Sequence, residues 1–281
     1  MSNEATRTEE VVQEPERRGF GTFGVPEVRQ VVALGRSILD RLHSPEGDAD
    51  AQRALVEGMQ PFGSPMAPAA LEQMRPLMSF RSDFFDQELI DALAGGLTQV
   101  VNCGAGYDDR ALRFRDSAVT YFELDVPDVV IDKKERLERI GADTARYSLA
   151  GVDFEVDGIS EALDALGHDP LKPTLFICEH LYVFLTESAV IRLCEGLFRR
   201  AAPGSRLVAT IEVSNDGLDP AEVLVSSNSL FGGTAPLKTI LPRAEWLSRL
   251  DEAGWRVDNP DVVRTINHTD QIQTQEVAAS V

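Results

Sequence analysis

Cysteine is scarce: Cys103, Cys178 and Cys194 are the only three in 281 residues. They are odd in number and form neither a CxxC pair nor a Cys/His metal spacing, so neither a disulfide framework nor a zinc module is expected. Cys103 and Cys178 fall within apolar runs, where a thiol behaves as a small buried hydrophobe, and reduced thiols fit a cytoplasmic protein. No apolar run approaches the roughly 20 residues of a membrane span. The opening residues, MSNEATRTEEVVQEPERR, lack the apolar core of a secretory signal. Positive charge is also short: 27 Lys and Arg stand against 46 Asp and Glu, a net charge of −19. Neutralising phosphates requires clustered cations, so nucleic acid is not an expected partner; the acidity suits solubility. There is no GxSxG, which removes the nucleophile-elbow hydrolases. The four histidines (His43, His168, His180 and His268) stand in no ligating pattern, so no metal is expected.

What is present is enough apolar residues, 43%, to fill a core. Residues 1–18 are polar and read as a disordered tail. Residues 19–95 read as helices with breaks. VPEVRQVVALGRSILDRL spaces Val28, Val31, Val32, Leu34, Ile38, Leu39 and Leu42 helically. PFGSPMAPAA reads as a turn or linker, and DFFDQELIDALAGG as a helix stopped by Gly95 and Gly96. Over residues 96–281, short apolar runs (TQVVNC, VTYFEL, RYSLAGVDF, PTLFIC, RLVATIEV) alternate with amphipathic segments such as PDVVIDKKERLERI and TESAVIRLCEGLFRRA. That alternation predicts an α/β fold: a mostly parallel sheet with helices on both faces and an N-terminal helical cap. WRVD and VVRTIN are the candidates for its antiparallel end. Ligands in such folds bind beyond the carboxyl ends of the strands.

One of those ends is the turn in QVVNCGAGYDDRALRF. Gly104 and Gly106 permit a tight turn and close backbone approach to a ligand. The third glycine of a dinucleotide fingerprint would stand at position 109, where this chain has Asp109. A diphosphate would sit at the following helix N-terminus, where Asp108 and Asp109 would repel it; either acid also reads as a plain helix cap. The same carboxylates suit a cationic ligand or one rich in hydroxyl and amine donors. Asp125 closes YFELD about 20 residues later, where an acid accepts hydrogen bonds from ribose. Asp153, in VDFE, can accept from an adenine amino group or serve as a turn residue, and Phe154 offers an apolar surface to the ring. The ligand so described is adenosine with a positive, phosphate-free appendage, as in S-adenosylmethionine. Arg81 is the candidate partner for its carboxylate.

The blocks VVNCGAGYDDRALRF, YFELDVPDVVIDKKERL and PTLFICEHLYVFLTESAVIRL together resemble the leucine carboxyl methyltransferase family. RSDFFDQEL upstream and LPRAEWLSRLDEAGWRV downstream extend the resemblance over Phe80 to Val257. The family includes bacterial S-adenosylmethionine-dependent O-methyltransferases, some of which act on polyketides. The resemblance implies a Rossmann-like class I methyltransferase fold with a seven-stranded sheet, and S-adenosylhomocysteine as product. Carried over by position, Arg81 holds the cofactor's carboxylate, and Gly104 supports its amino acid part. Asp125 binds the ribose, Asp153 and Phe154 flank the adenine, and Glu179 lies beside the methionine; Gly106 and Asp108 complete the set. Asp109 stands where the family more often has Thr, and His180 where it usually has a small residue such as Gly or Cys.

A carboxylate acceptor needs no general base, whereas a hydroxyl acceptor gains from one. His180 is read either as that base or as a packing histidine with a satisfied ring. Tyr182 and Phe184 either line the acceptor pocket or pack into the core. Residues before Phe80 are expected to shape the acceptor pocket; Met66, Met74 and Met78 with Phe62 and Phe80 could cover a flat substrate or form a helical core. LFGGTAPLKTILP reads as a lid or a plain surface loop. The expected partner is a small-molecule acceptor, with no nucleic acid and no membrane; a homodimer is compatible with the sequence. The competing readings are a nicotinamide oxidoreductase and a descendant that keeps the cofactor pocket without transferring methyl.

Overall fold

The computed structural model describes residues 25–281 except 62, 64, 216, 231–236, 262–263 and 268–270. The N-terminal tail, Phe62, His268 and residues 231–236 of the expected lid lie outside the described residues.

Five parallel strands form the centre: β1 (Gln99–Cys103), β2 (Thr120–Asp125), β3 (Tyr147–Gly151), β4 (Thr174–Cys178) and β5 (Arg206–Ser214). All five residues of β1 and of β4 are buried, as continuous apolar strands covered on both faces must be. The chain then adds β6 (Arg256–Val257), β7 (Arg264–Asn267) and β8 (Ile272–Ser280). The order is β3-β2-β1-β4-β5-β8-β6, with β7 also on β8. β8 runs antiparallel to β5 along all nine of its residues. β6 pairs with Ala279 and Ser280, and β7 with Gln273–Glu276. The two therefore share the outer edge of β8 as one interrupted strand, and the sheet is seven positions wide. Strand order reverses between β1 and β4, which makes the carboxyl ends of these strands the binding crevice.

Helices cover both faces. On one lie α6 (Ile159–Leu166), α7 (Glu187–Phe198) and α9 (Arg243–Glu252), with Leu163, Leu193 and Trp246 packed on Phe176, Cys178 and Ala209. On the other lie α2 (Ala51–Val56), α3 (Pro68–Ala94), α4 (Arg110–Arg113) and α5 (Pro127–Arg139), with Leu55, Phe85, Leu89 and Leu137 sharing a core with Ile177 and Val208. α8 (Pro220–Leu230) contributes Val223 to a smaller cluster with Val183, Ile240 and Ile272. α1 (Val25–Ser37) crosses outside α3, where Gly35 lets it approach Met74 and Met78.

Two expectations change. α3 is a 27-residue helix beginning inside the presumed linker, with Pro68 in its first turn and Pro76 in its interior. Proline suits a first turn, and the hydrogen bond lost at Pro76 is offset by packing along the helix. α3 also covers the sheet directly, so it is a layer of the main fold more than a cap. β8 was not expected, because IQTQE is too polar to read as a central strand, yet Thr274, Gln275 and Glu276 are all buried. His168, in the loop after α6, is buried with its ring against Phe122 and Phe176, and its Nε2 lies 2.9 Å from Thr174 Oγ1.

Candidate active site

The turn after β1 is laid against the end of β2: Gly104 N and Ala105 N both donate to Leu124 O, at 2.8 and 3.2 Å. Gly104 adopts φ +69 and Gly106 φ +52, a region costly for side-chain-bearing residues. A Cβ on Gly104 would also come within 2.9 Å of Leu181 Cδ1. Asp125 stitches the turn together by accepting from Gly106 N and Val126 N, each at 2.7 Å.

Glu179 follows β4 on the other side of the crevice. Its Oε1 meets Arg36 Nη2 and Arg81 Nε (2.8 Å), and its Oε2 meets Arg110 Nη1 (2.8 Å). Burial raises the carboxyl, but Arg36, Arg110 and Arg81 together outweigh it and bring the pKa down to about 2. Arg81 is buried on α3 and points at Glu179.

Asp108 and Asp109 are not bare acids at a helix end, which corrects the expected reason for rejecting phosphate. Asp108 Oδ1 accepts from Arg110 N at 2.8 Å, and its Oδ2 faces Arg110 and Arg36. Burial opposes its ionisation, but the arginines and Lys133 hold its carboxyl well below the usual range. Asp109 pairs with Arg41 at 2.6 Å and with Arg113 at 3.2 Å. Asp86 of α3 then ties Arg110 Nε (2.7 Å) to Arg113 Nη2 (2.8 Å). The two acids of the turn thus organise a buried arginine lattice.

α1 completes it. Arg29 Nη2 lies 3.0 Å from Asp125 Oδ1, and its stem packs over Gly106. Arg29 and Arg36, seven residues apart and so on one helical face, neutralise Asp125, Asp108 and Glu179 together. The sequence reading missed Arg29, Arg36, Arg41, Asp86, Arg110 and Arg113. The seven-residue arginine spacing was the available signal.

His180 has φ +52, in the left-handed region that a glycine would occupy freely. Its Nδ1 lies 3.0 Å from Glu212 Oε1, and its ring meets Phe184 edge-on at 5.6 Å. Tyr182 does not line this site: it is fully buried, stacked on Trp246 at 5.9 Å, with its hydroxyl accepting from Cys194 Sγ. Asp153 forms a turn just after β3, accepting from Glu155 N at 3.0 Å, while Phe154 is buried in the core beside it. All three cysteines are free and buried; the hydrogen bond to Cys178 together with burial pushes the Cys103 thiol up, and burial pushes Cys194 up to about 12. Among the described residues no set of three or more His, Cys, Asp or Glu could hold a metal, and no helix is long and apolar enough to cross a membrane.

The leucine carboxyl methyltransferase family profile matches residues 30–198. The chain belongs to this family. A Mycobacteroides abscessus relative, named as an S-adenosyl-L-methionine-dependent methyltransferase, is 33% identical over 255 residues, covering 83% of this chain and 82% of its own. A relative of the same name from Mycobacterium sp. strain JLS is 34% identical over 193 residues, 65% of this chain; the match spans 62% of that relative's length. Among solved structures, a methyltransferase from Thermobifida fusca superposes with a TM-score of 0.52 at 13% identity, covering 96% of this chain and all of that one. Magnesium protoporphyrin IX methyltransferase from Synechocystis, solved with S-adenosylhomocysteine, gives 0.50 at 14% identity, covering 82% and 93%. These two show the Rossmann-like methyltransferase fold. Family membership brings S-adenosylmethionine as cofactor. The crevice holds groups whose chemistry suits it: a glycine turn crowded at Gly104 by Leu181, the carboxylates of Asp125 and Glu179, and the guanidiniums of Arg81 and Arg36, with Asp125 paired to Arg29 and Glu179 to Arg36 and Arg81.

Proposed function

We propose that the protein is an S-adenosylmethionine-dependent O-methyltransferase acting on a hydroxyl or carboxylate of a small organic acceptor, a polyketide-like secondary metabolite being the type. The observation that carries this reading is the placement of Asp125 and Glu179 on either side of the Gly104–Gly106 turn, at the strand-order reversal. In it, Asp125 accepts from the ribose hydroxyls, and Phe154 and Asp153 border the adenine. Arg81 and Arg36, both on Glu179, are the donors for the cofactor's carboxylate, and Gly104, Gly106, Asp108 and Glu179 frame its amino acid part. The bound cofactor supplies an electrophilic methyl group on a sulfonium. The protein's task is to align donor and acceptor and exclude water, with His180 as the nearest general base for a hydroxyl.

A nicotinamide cofactor does not suit this crevice, because Asp109 at the third glycine position is fully buried in its pair with Arg41. Calorimetric titration with S-adenosylmethionine, S-adenosylhomocysteine and NADH should show binding of the first two alone. Incubation with 2-naphthol or 2-naphthoic acid should release S-adenosylhomocysteine with at least one of them. Binding of NADH in preference to both sulfur ligands would overturn the reading.

A further inference from the structure

Glu155 stands in the loop after β3, two residues beyond Asp153. Its backbone and its carboxylate are both engaged. Its N–H donates to Asp153 Oδ1 at 3.0 Å, and its carbonyl accepts from Arg192 Nη2 of α7 at 2.6 Å. On the side chain, Oε1 accepts from Thr186 N at 3.0 Å and from Lys238 Nζ at 2.7 Å, and Oε2 accepts from Thr186 Oγ1 at 2.8 Å. Thr186 caps α7 in the loop after β4, and Lys238 lies in the connection between α8 and α9 that follows β5. One residue therefore joins the loops beyond β3, β4 and β5, across the two strands, β2 and β1, that separate β3 from β4.

Each end of this bridge is itself fixed. Residues 152–157 fold around Asp153, whose carbonyl accepts from Val156 N and Asp157 N and whose N–H donates to Asp157 Oδ2 at 2.8 Å. At the other end, Lys238 N donates to Val183 O at 2.7 Å and Thr239 Oγ1 to Leu185 O at 2.6 Å, while Ile240 packs on Val183. The Lys238 segment thereby backs the short turn Tyr182–Phe184 that follows His180. Partial burial opposes ionisation of Glu155, but the bonds from Lys238 and Thr186 hold its carboxyl below the ordinary value. The Lys238 side chain is 39% exposed, so its share of the bridge is the weaker one and is screened by salt.

We infer that Glu155 is a positioning residue that holds Asp153 in the pose that reads the adenine amino group and ties this reader to the segment backing His180. This rests on the methyl-transfer reading above, in which Asp153 borders the adenine. With Oδ1 kept by Glu155 N, Asp153 presents Oδ2 to the base. A carboxylate oxygen accepts from an amino group and finds no donor in a carbonyl, so the pinned loop selects adenine over hypoxanthine.

Calorimetric titration of the full chain with S-adenosylhomocysteine and S-inosylhomocysteine, which carries a ring carbonyl in place of the amino group, tests this with no acceptor present. The wild type should prefer the adenine ligand by roughly tenfold or more. Glu155→Ala should bring that preference within about threefold, and Lys238→Met should lower it about threefold. Glu155→Gln, whose amide oxygen still accepts from Thr186 N, should keep most of it. A role in stability alone would lower Tm and leave the preference unchanged; an unchanged preference in Glu155→Ala, or in Lys238→Met, overturns the inference. Hydrogen exchange of the ligand-free protein is the second measure: amides of residues 152–157 should exchange about tenfold faster in Glu155→Ala and about threefold faster in Lys238→Met. Unchanged rates overturn the clamp whatever binds. A wild type that binds both ligands equally would remove Asp153 from the base, and the inference with it. A wild type that binds neither would instead sink the methyl-transfer reading, with the exchange rates deciding the clamp.

Discussion

Gly104 shows how little latitude single positions in the crevice have. Its φ of +69 is costly for any side-chain-bearing residue, and a Cβ there would press on Leu181 at 2.9 Å. Gly104→Ala should cost about 1–3 kcal/mol, measurable by urea unfolding, and should weaken S-adenosylmethionine binding as the turn shifts. Glu276 makes the matching point for charge. Burial pushes its carboxyl up to about 8 despite Arg264, with Glu179 adding to the rise and Arg81 opposing it. The folded protein therefore keeps a proton that the unfolded chain loses near its ordinary value of 4.5. Stability is full below that value and falls as pH rises through 8. Glu276→Gln should flatten this dependence and raise Tm at pH 9 by about 2 °C or more, read by thermal scans at pH 5 and pH 9.

At the scale of elements, the parallel half of the fold was legible because each strand is an apolar run followed by an amphipathic helix. β8 was illegible because its polar residues are buried for the sake of other buried groups: Thr274 serves Glu212, and Glu276 meets Arg264. No local pattern announces that. The same limit applies to the crevice. Asp125 and the glycines could be found from their places at strand ends, Glu179 and Arg81 with the help of the family resemblance, whereas the other arginines that face them come from α1 and α4, far apart in sequence. Asp86 is the hinge of that lattice, joining α3 to α4 through Arg110 and Arg113. Asp86→Ala leaves two buried guanidiniums short of a partner and should cost roughly 3–5 kcal/mol in chemical denaturation.

Across the whole molecule, a formal charge of −19 coexists with an interior in which acids and arginines are closely matched. α1 extends that matching to Asp125, the proposed ribose acceptor, by placing Arg29 on it. On the proposed reading, ribose hydroxyls that take Asp125 compete with Arg29 for it. Arg29→Ala should therefore tighten S-adenosylmethionine several-fold in calorimetric titration; weakening would assign Arg29 a direct hold on the cofactor. The contact also bears on speed. If the crevice accepts ligand only after α1 releases its carboxylates, the apparent dissociation constant is the intrinsic one divided by the competent fraction. Association then has a ceiling set by the helix, independent of ligand supply. Rapid-mixing traces should show the observed rate levelling off as S-adenosylmethionine increases, and Arg29→Ala should raise that plateau, which makes an N-terminal helix the clock for cofactor entry.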